Sequence, residues 1–480
     1  MTRIALLCLL PAASGAITFV IPAHRAGRWR VAILVAAAAV HLAVTLSFWS
    51  QPARPALGGW LEADALGLLV LTLASSLFFL TSIYVVGYIR RERPRGGRVF
   101  VSGLLAFLTA VSIVSLAQHF ALLWVGMEAA TLALAPLVFQ RNDRRSLEAV
   151  WKYLVISSVG IALALLGIFF LATAQSGVAA RPLIMADLIG HARELDGDWL
   201  RAAFLFLVVG FGTKMGLAPM HTWKPDTYGE APSLVGGLMA GALTSCAFLG
   251  VARAAAIMNA AGLESFAQPV LMTFGLLSLG VAAAFIISQQ DIKRLLAYSS
   301  VEHMGILVLG LGLGGTGIYG SVLHALNNGL AKGWLFLVVG NIGLAARQES
   351  ISMDHGLART LPVSGALLIA GLFAVTGSPP FGLFISEFTI LRAAISGGHV
   401  WIAAAMLVLL AIIFIGIAGL VLDIALGAPA PGTPRLRESP WLIVGPVVLA
   451  TVVLMLGLYI PAPVRSALAS AAAMLGGSAP

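Results

Sequence analysis

The chain has 480 residues, of which 59% are hydrophobic and 10% are charged, against about 25% charged residues in an ordinary soluble domain. Apolar runs of roughly 20 residues recur along its whole length, and each is long enough to cross about 30 Å of hydrocarbon. A soluble enzyme is therefore excluded, and so is a membrane barrel, whose strands would alternate in short segments. The sequence predicts an all-α polytopic membrane protein.

Fourteen membrane spans are predicted, and only a turn at Gln118 and His119 separates the fourth from the fifth. The connection 174–201 is the longest, so no loop can house a flavin or nucleotide domain. The first span has no small-x-small cleavage site after it, so we expect it to be retained. The spans are 4–23, 31–49, 65–88, 99–117, 119–139, 151–173, 202–221, 233–255, 268–288, 292–313, 317–345, 361–391, 400–422 and 441–460.

The net charge of +9 follows a topological pattern. Loops after odd-numbered spans carry 18 lysines and arginines, Lys224 among them, whereas the termini and the other loops carry 8, Arg253 among them. The positive-inside rule then places both termini on the outer side and predicts no nucleic-acid patch. The two cysteines, Cys8 and Cys246, lie inside apolar spans and cannot supply the four ligands of an iron–sulfur cluster.

Ionisable residues inside the spans are the strongest functional signal. A charge at the bilayer centre costs about 2.5–3.5 kcal/mol on insertion scales, so such a residue normally faces a cavity or a partner. Lys152 is interpreted as an interface anchor, and Glu302 is left open between a structural and a functional role. The candidates for proton transfer are Glu128, Lys214, Lys332, Glu387, His303, His324 and His221.

Helical spacing groups these candidates. His324, Asn328 and Lys332 follow an i, i+4, i+8 pattern, which predicts one polar stripe along the eleventh span. Glu128 and Thr131 share a face of the fifth span with Trp124. A stripe of protonatable groups is what a proton relay requires, because each transfer needs a donor and an acceptor within hydrogen-bond reach.

Prolines beside these residues predict that the seventh and twelfth spans are broken, since proline removes a backbone donor. Broken helices at membrane depth lie beside cavities, and in transporters they occupy equivalent positions of inverted repeats. Lys214 and His221 would share a helix side only if the seventh span continues through its proline. The predicted break residues are Pro219, Pro379 and Pro380.

A purely structural role remains open for each of these residues taken singly. A lone histidine in a span is more often part of a packed core, and one buried Lys–Glu pair can simply lock two helices together. The combination of two lysines, two glutamates and two broken helices favours transport over packing.

Four motifs resemble the antiporter-like membrane subunits of respiratory complex I, Mrp-type sodium/proton antiporters and membrane-bound nickel–iron hydrogenases. They are GTKMGLAPMHTWKPDTYGEAPS, DIKRLLAYSSVEHMG, HALNNGLAKGWLFL and GSPPFGLFISEF. The resemblance covers roughly 60–425. Within this family, LLWVGMEAATLALAPLVF followed by RRSLEAVWKYLVISSVGIALALLG is most similar to hydrogenase-4 type component F.

The resemblance implies fourteen spans and two inverted five-helix repeats. The expected organisation is helices 1–3 in 1–98, a first repeat in 99–255, a second in 268–422, and helix 14 with a short tail in 441–480. The chain departs from the largest members in that it is expected to lack their long lateral helix at the C-terminus. The resemblance implies a multi-pass location in a bacterial inner membrane, and the charge bias places both termini on the periplasmic side.

The resemblance also assigns roles by position. Glu128 and Lys214 correspond to the pair that modulates proton loading, Lys332 to the central lysine with His324 on the same helix, and Glu387 to the outward exit. One departure concerns the eighth span, where Thr244 and Ser245 replace the lysine or histidine of many members. The link from Lys214 to Lys332 would then depend on water or on His303.

The resulting hypothesis is a proton-translocating subunit of a bacterial redox complex of hydrogenase or complex I type, without a redox centre, cofactor or metal of its own. Its expected partners are other membrane subunits, including further antiporter-like ones, the lipid bilayer and, indirectly, peripheral redox subunits. The alternatives are a subunit of a Mrp-type cation/proton antiporter or related uptake system, and a scaffold that conducts nothing.

Overall fold

The computed structural model describes residues 3–21, 26–92, 96–175, 182–349, 356–429 and 435–480, with side chains except at Ala26 and 347–349. Within these ranges the chain is helical, and three isolated bridges are the only β pairings. The α-helices are α1 Arg3–Val20, α2 Ala26–Ser47, α3 Ala65–Arg91, α4 Gly97–Leu116, α5 Phe120–Val138, α6 Arg144–Thr173, α7 Met185–Gly190, α8 Gly197–Met215, α9 Trp223–Glu230, α10 Ser233–Leu238, α11 Thr244–Ala260, α12 Glu264–Ile286, α13 Ile292–Leu313, α14 Thr316–Glu349, α15 Leu357–Thr360, α16 Pro362–Val375, α17 Gly382–Ser396, α18 Val400–Leu426, α19 Pro440–Leu458 and α20 Ala462–Met474.

Twelve helical stretches in the described part of the chain are long and apolar enough to cross a membrane. They correspond to twelve of the predicted spans, and α10 and α11 form one of them through a π-helical turn at Met239–Leu243. The prediction of an all-α polytopic membrane protein is confirmed. Of the other two predicted spans, the seventh covers most of α8 and the turn after it, with α9 beyond its predicted end, and the twelfth covers α16 and most of α17.

Both of these spans are interrupted at a glycine in the left-handed region. Helix α8 ends at Gly216, with φ of 76°, and Gly377, with φ of 61°, follows α16. Such backbone angles suit glycine because it has no β-carbon. Pro219 and Pro380 then delay the next helix until α9 and α17. The predicted breaks are therefore present, and the seventh span does not continue as one helix through Pro219.

Other boundaries differ from the prediction for local reasons. The turn at Gln118 and His119 does separate α4 from α5. Helix α6 begins seven residues before the predicted 151, because Asp143 and Ser146 form a capping box at its N-terminus. The tail after α19 contains α20, which was missed because its alanine-rich pattern is too short for a span. Leu468, Ala471 and Ala472 of α20 are buried.

Glycines allow the helices around the interior to pack closely. Helices α12 and α13 cross at Gly275 and Gly305, where a β-carbon on either glycine would lie 2.9 or 2.8 Å from the carbonyl oxygen of the other. Since two apolar helices gain little from hydrophobic burial in lipid, such close backbone contact is a main source of their association. This crossing fixes α13, which carries several of the candidate residues.

We expect Gly275→Ala to destabilise the protein by about 1–3 kcal/mol, because the added methyl group must push two backbones apart. Gly280→Ala on the same helix is the matched control, since its β-carbon would meet no atom within 4 Å. The control should melt at or above the wild-type temperature, because alanine favours helix over glycine. Thermal unfolding in one detergent compares them, and equal melting of both variants would contradict the close crossing.

Candidate functional site

The first cluster of candidate residues joins α5, α6 and α8. Lys214 is fully buried, and its Nζ donates to Glu128 Oε2 at 3.1 Å and to Thr131 Oγ1 at 2.5 Å. Ser158 Oγ donates to the other carboxylate oxygen of Glu128 at 3.3 Å. The Glu128 side chain is 22% exposed whereas that of Lys214 is 0% exposed. The ion pair therefore has its amine inside the bundle and its acid at the outer face of α5 and α6.

A second cluster joins α13 and α14. Lys332 Nζ donates to Ser299 Oγ at 2.7 Å, and Ser299 Oγ donates to Glu302 Oε2 at 3.1 Å. All three side chains are buried. A serine hydroxyl can accept one hydrogen bond while donating another, so Ser299 bridges the amine and the carboxylate. Glu302, whose role the sequence left open, thus belongs to this cluster.

A chain of hydrogen bonds continues from α13 through α14 to α17. His303 Nδ1 lies 3.0 Å from His324 Nε2, and His324 Nδ1 lies 2.9 Å from Ser386 Oγ. Ser386 precedes Glu387, whose carboxylate is 7% exposed. Glu387 Oε1 has no hydrogen-bond partner among the described residues. A β-carbon at Gly377 would overlap the Glu387 carboxylate, so the glycine of the helix break makes room for it.

The same trio offers donors that a metal ion can use. One ligand atom from each of His303, His324 and Glu387 lies within 4.8 Å of the other two, and two imidazoles with one carboxylate form a ligand set that zinc accepts. In this arrangement, however, the two imidazoles are hydrogen-bonded to each other at 3.0 Å. His303 Nδ1 and His324 Nε2 thereby satisfy each other, whereas His303 Nε2 and Glu387 Oε1 have no hydrogen-bond partner among the described residues.

The predicted stripe on α14 is present. His324, Asn328 and Lys332 are all buried, and the first and last of them make the contacts described above. Asn328 lies between them, and neither its Nδ2 nor its Oδ1 has a hydrogen-bond partner among the described residues. The stripe therefore connects the second cluster to the histidine pair through an amide whose hydrogen-bonding capacity is unused.

Two charged residues do not occupy the loops to which the sequence assigned them. Lys224 is fully buried, and its Nζ donates to Ser300 Oγ at 2.9 Å. Arg253 is 3% exposed inside α11, where its Nη2 lies 2.8 Å from Asp64 Oδ2. Both predictions were wrong, because a helix break and a buried acid allow these cations to enter the bundle. The count of lysines and arginines therefore falls by one in the loops after odd-numbered spans, and by one in the termini and the other loops.

The break in the seventh span also changes two histidine predictions. His221 lies in the turn after α8, so it does not share a helix side with Lys214, and its buried ring lies 6.3 Å from that of Tyr298. His303 contacts His324 on the side of Glu387, and the described hydrogen bonds do not place it between Lys214 and Lys332. The motif HTWKPD contained a signal that Lys224 is not an ordinary loop residue. It lies five residues after Pro219, which is predicted to break the seventh span.

Comparison with known proteins bears on these clusters. Residues 117–413, more than half of the chain, match the family described as NADH:quinone oxidoreductase/Mrp antiporter, TM. The hydrogenase-4 component F homolog of Methylacidiphilum infernorum is 34% identical over 70% of this chain and 73% of its own length. The NADH-quinone oxidoreductase subunit N of Desulforudis audaxviator is 30% identical over 85% of this chain and 82% of its own.

Solved structures share the fold. A chain of the archaeal membrane-bound sulfane sulfur reductase superposes with a TM-score of 0.89 at 22% identity, covering 99% of this chain and 98% of its own. A chain of the Mrp complex from Dietzia sp. DQ12-45-1b superposes with a TM-score of 0.85 at 18% identity, covering 99% and 97%. The chain belongs to the NADH:quinone oxidoreductase/Mrp antiporter family of membrane subunits.

Proposed function

We propose that this chain is the proton-translocating subunit of a bacterial inner-membrane redox complex of hydrogenase or complex I type. The observation that carries the proposal is the ion pair between the buried Lys214 amine and Glu128, together with a second, buried amine–carboxylate cluster at Lys332. The name of the Methylacidiphilum relative, hydrogenase-4 component F homolog, supports the hydrogenase type. The expected partners are further membrane subunits, some of them antiporter-like, with peripheral redox subunits acting from a distance.

The proposed architecture has fourteen spans, counting each broken helix once. Residues 99–255 and 268–422 are the two inverted five-helix repeats, flanked by helices 1–3 in 1–98 and by the last span with its tail in 441–480. The occurrence of one glycine-containing break in each repeat supports this division. The remaining bias of Lys and Arg toward the loops after odd-numbered spans supports periplasmic termini.

Proton loading takes place at Lys214. The Glu128 carboxylate stabilises the protonated amine at 3.1 Å, and an ammonium whose buried partner withdraws is strongly destabilised. Because the Glu128 side chain lies at the outer face of the bundle, a charge change in a neighbouring subunit acts on it first. Moving one charge across 100 mV is worth about 2.3 kcal/mol, so a change of a few kcal/mol in this pair suffices to release a proton.

The proton then leaves through the second half of the chain. From Lys332 the path follows Ser299 and Glu302, then the pair His303 and His324, and ends at Glu387. The unused hydrogen-bonding groups of Asn328 and Glu387 support hydration of this stretch, because buried polar groups without protein partners are commonly satisfied by water. His221 has no step in this path.

Two rivals remain. A subunit of a Mrp-type cation/proton antiporter would use the same buried residues without redox chemistry, and the structural similarity to a Mrp complex chain favours it. A scaffold that conducts nothing would need the buried charges only for assembly.

We expect Lys214→Met to abolish proton translocation in the assembled complex, because no amine then remains to be loaded beside Glu128. The measurement is protons translocated per electron transferred in vesicles, together with the yield of complex. Arg201→Met is the control on the same helix, since Arg201 is 42% exposed and pairs only locally with Asp198. An unchanged proton yield in the lysine variant would refute the role, and a loss of assembly at normal transport per complex would support the scaffold.

Ser299→Ala should slow translocation by about tenfold or more while the complex still assembles, because it removes the hydroxyl that joins Lys332 to Glu302. Ser288→Ala on the neighbouring exposed segment is the control, since Ser288 Oγ donates only to Phe285 O at 3.4 Å. Initial rates of proton uptake into the same vesicles compare the two. Equal rates would remove Ser299 from the path.

Purification of the native complex separates the redox interpretation from the antiporter. We expect nickel, iron or flavin to co-purify with this chain at fixed stoichiometry, carried by partner subunits. Elemental analysis and absorption spectra provide the measurement. A complete membrane assembly that exchanges cations for protons and contains none of these groups would establish the Mrp-type alternative.

A further inference from the structure

The proposed path leaves a gap between Lys214 and Lys332. The eighth span, which lies between them, has no lysine or histidine, and its Arg253 pairs with Asp64 and keeps its proton. The hydroxyls of Thr244 and Ser245 are engaged with their own helix, since Thr244 Oγ1 donates to Ala240 O at 2.6 Å and Ser245 Oγ donates to Gly241 O at 2.7 Å. A group from elsewhere in the bundle must therefore connect the two lysines.

The break in the seventh span brings Lys224 into this gap. Helix α8 ends at Met215, immediately before the left-handed Gly216, and α9 begins at Trp223. A β-carbon at Gly216 would overlap the Cδ and Cε atoms of Lys224. The aliphatic part of Lys224 thus packs against the end of the helix that carries Lys214, only two residues beyond it.

The amine of Lys224 also reaches the helix that contacts Lys332. Lys224 Nζ donates to Ser300 Oγ at 2.9 Å, and Lys332 Nζ donates to Ser299 Oγ at 2.7 Å. These serines are consecutive residues of α13. The two buried amines are therefore hydrogen-bonded to adjacent hydroxyls of one helix, and that helix is α13, not the eighth span.

No ion pair fixes the charge of Lys224 among the described residues. The acid nearest in sequence, Asp226, is held at the surface by Lys152 at 2.7 Å and by Arg294 at 3.0 Å. An ammonium that is buried without a carboxylate is strongly disfavoured. Lys224 can consequently exist as a neutral amine and accept a proton when one arrives.

The helix breaks in the seventh and the twelfth span have a similar local geometry. In both, a glycine with positive φ leaves space for an ionisable side chain of the following half-helix: Gly216 for Lys224, and Gly377 for Glu387. The second break places its side chain at the proposed exit. By the same construction, the first break places an amine at the boundary between the two halves of the chain.

We propose that Lys224 carries the proton from Lys214 to Lys332 in place of the ionisable residue that the eighth span lacks. The inference rests on the proposed function. The proton leaves Lys214 Nζ, a new N–H bond forms at the neutral Lys224 Nζ, and that bond breaks as the proton passes to Lys332 by way of the Ser300 and Ser299 hydroxyls. Lys224 returns to its neutral state, and no electron or further reactant takes part.

Three substitutions in the assembled complex test the proposal, with Arg201→Met as the control. Lys224→Met removes the amine, Lys224→Arg keeps a positive charge that cannot release its proton, and Lys224→His keeps a group that can. We expect the Met and Arg variants to lose at least about tenfold in proton translocation at normal assembly. The His variant should retain part of the rate and work best at lower pH, because a free imidazole holds its proton only to about pH 6.5 against about 10.4 for a free amine.

Two results would overturn the proposal: normal translocation in both the Met and Arg variants, or normal translocation in the Arg variant alone, which would show that only a fixed charge is needed. If the Met variant fails to assemble, Ser300→Ala decides, because it leaves Lys224 in place and should still slow translocation several-fold; a normal rate there would overturn the proposal. If the Lys224→Met variant is fully active and the Lys214→Met variant is inactive, this inference is rejected and the proposed function stands. An active Lys214→Met would reject the proposed function itself.

Discussion

A protonated amine that is buried in this helical bundle needs an oxygen atom within hydrogen-bond reach, and the arrangement of the polar residues follows from that requirement. All three buried lysines contact a hydroxyl: Lys214 contacts Thr131, Lys224 contacts Ser300 and Lys332 contacts Ser299. Within the described part of the chain, only Lys214 has a carboxylate in direct contact as well. The three sites therefore stabilise a positive charge to different extents, and the proposed path would pass a proton between amines of unequal affinity.

The helix breaks and the close helix crossings serve this arrangement together. Glycine at a left-handed position ends a helix and leaves a space the size of a side chain, which Lys224 fills in one half and Glu387 in the other. Glycines at the crossing of α12 and α13 hold α13 close to its neighbour. A rigid α13 matters because its polar residues contact both α9 and α14. The packing of apolar segments thus sets the distances between the titrating groups.

Local signals in the sequence were sufficient for the twelve long apolar stretches and for the burial of most of the ionisable candidates. Hydropathy and helical periodicity are properties of short segments, so the stripe through Asn328 and the shared face of Glu128 and Thr131 were predictable. The contacts of Ser299 and Ser300 were not, because a serine in an apolar helix gives no sign of which neighbour it faces. Lys224 was misplaced for a related reason: a charge beside a proline looks like a loop residue until the tertiary fold turns it inward.

The two consecutive serines of α13 have a mechanical consequence. Neighbouring residues of an α-helix point about 100° apart, so Lys224 and Lys332 approach this helix from different directions. The two serines belong to one helix, so a rigid-body movement of that helix displaces both of them together. Any tilt or turn that shortens the contact to one amine changes the contact to the second at the same moment. A shift of the helix at one amine therefore reaches the other through the backbone.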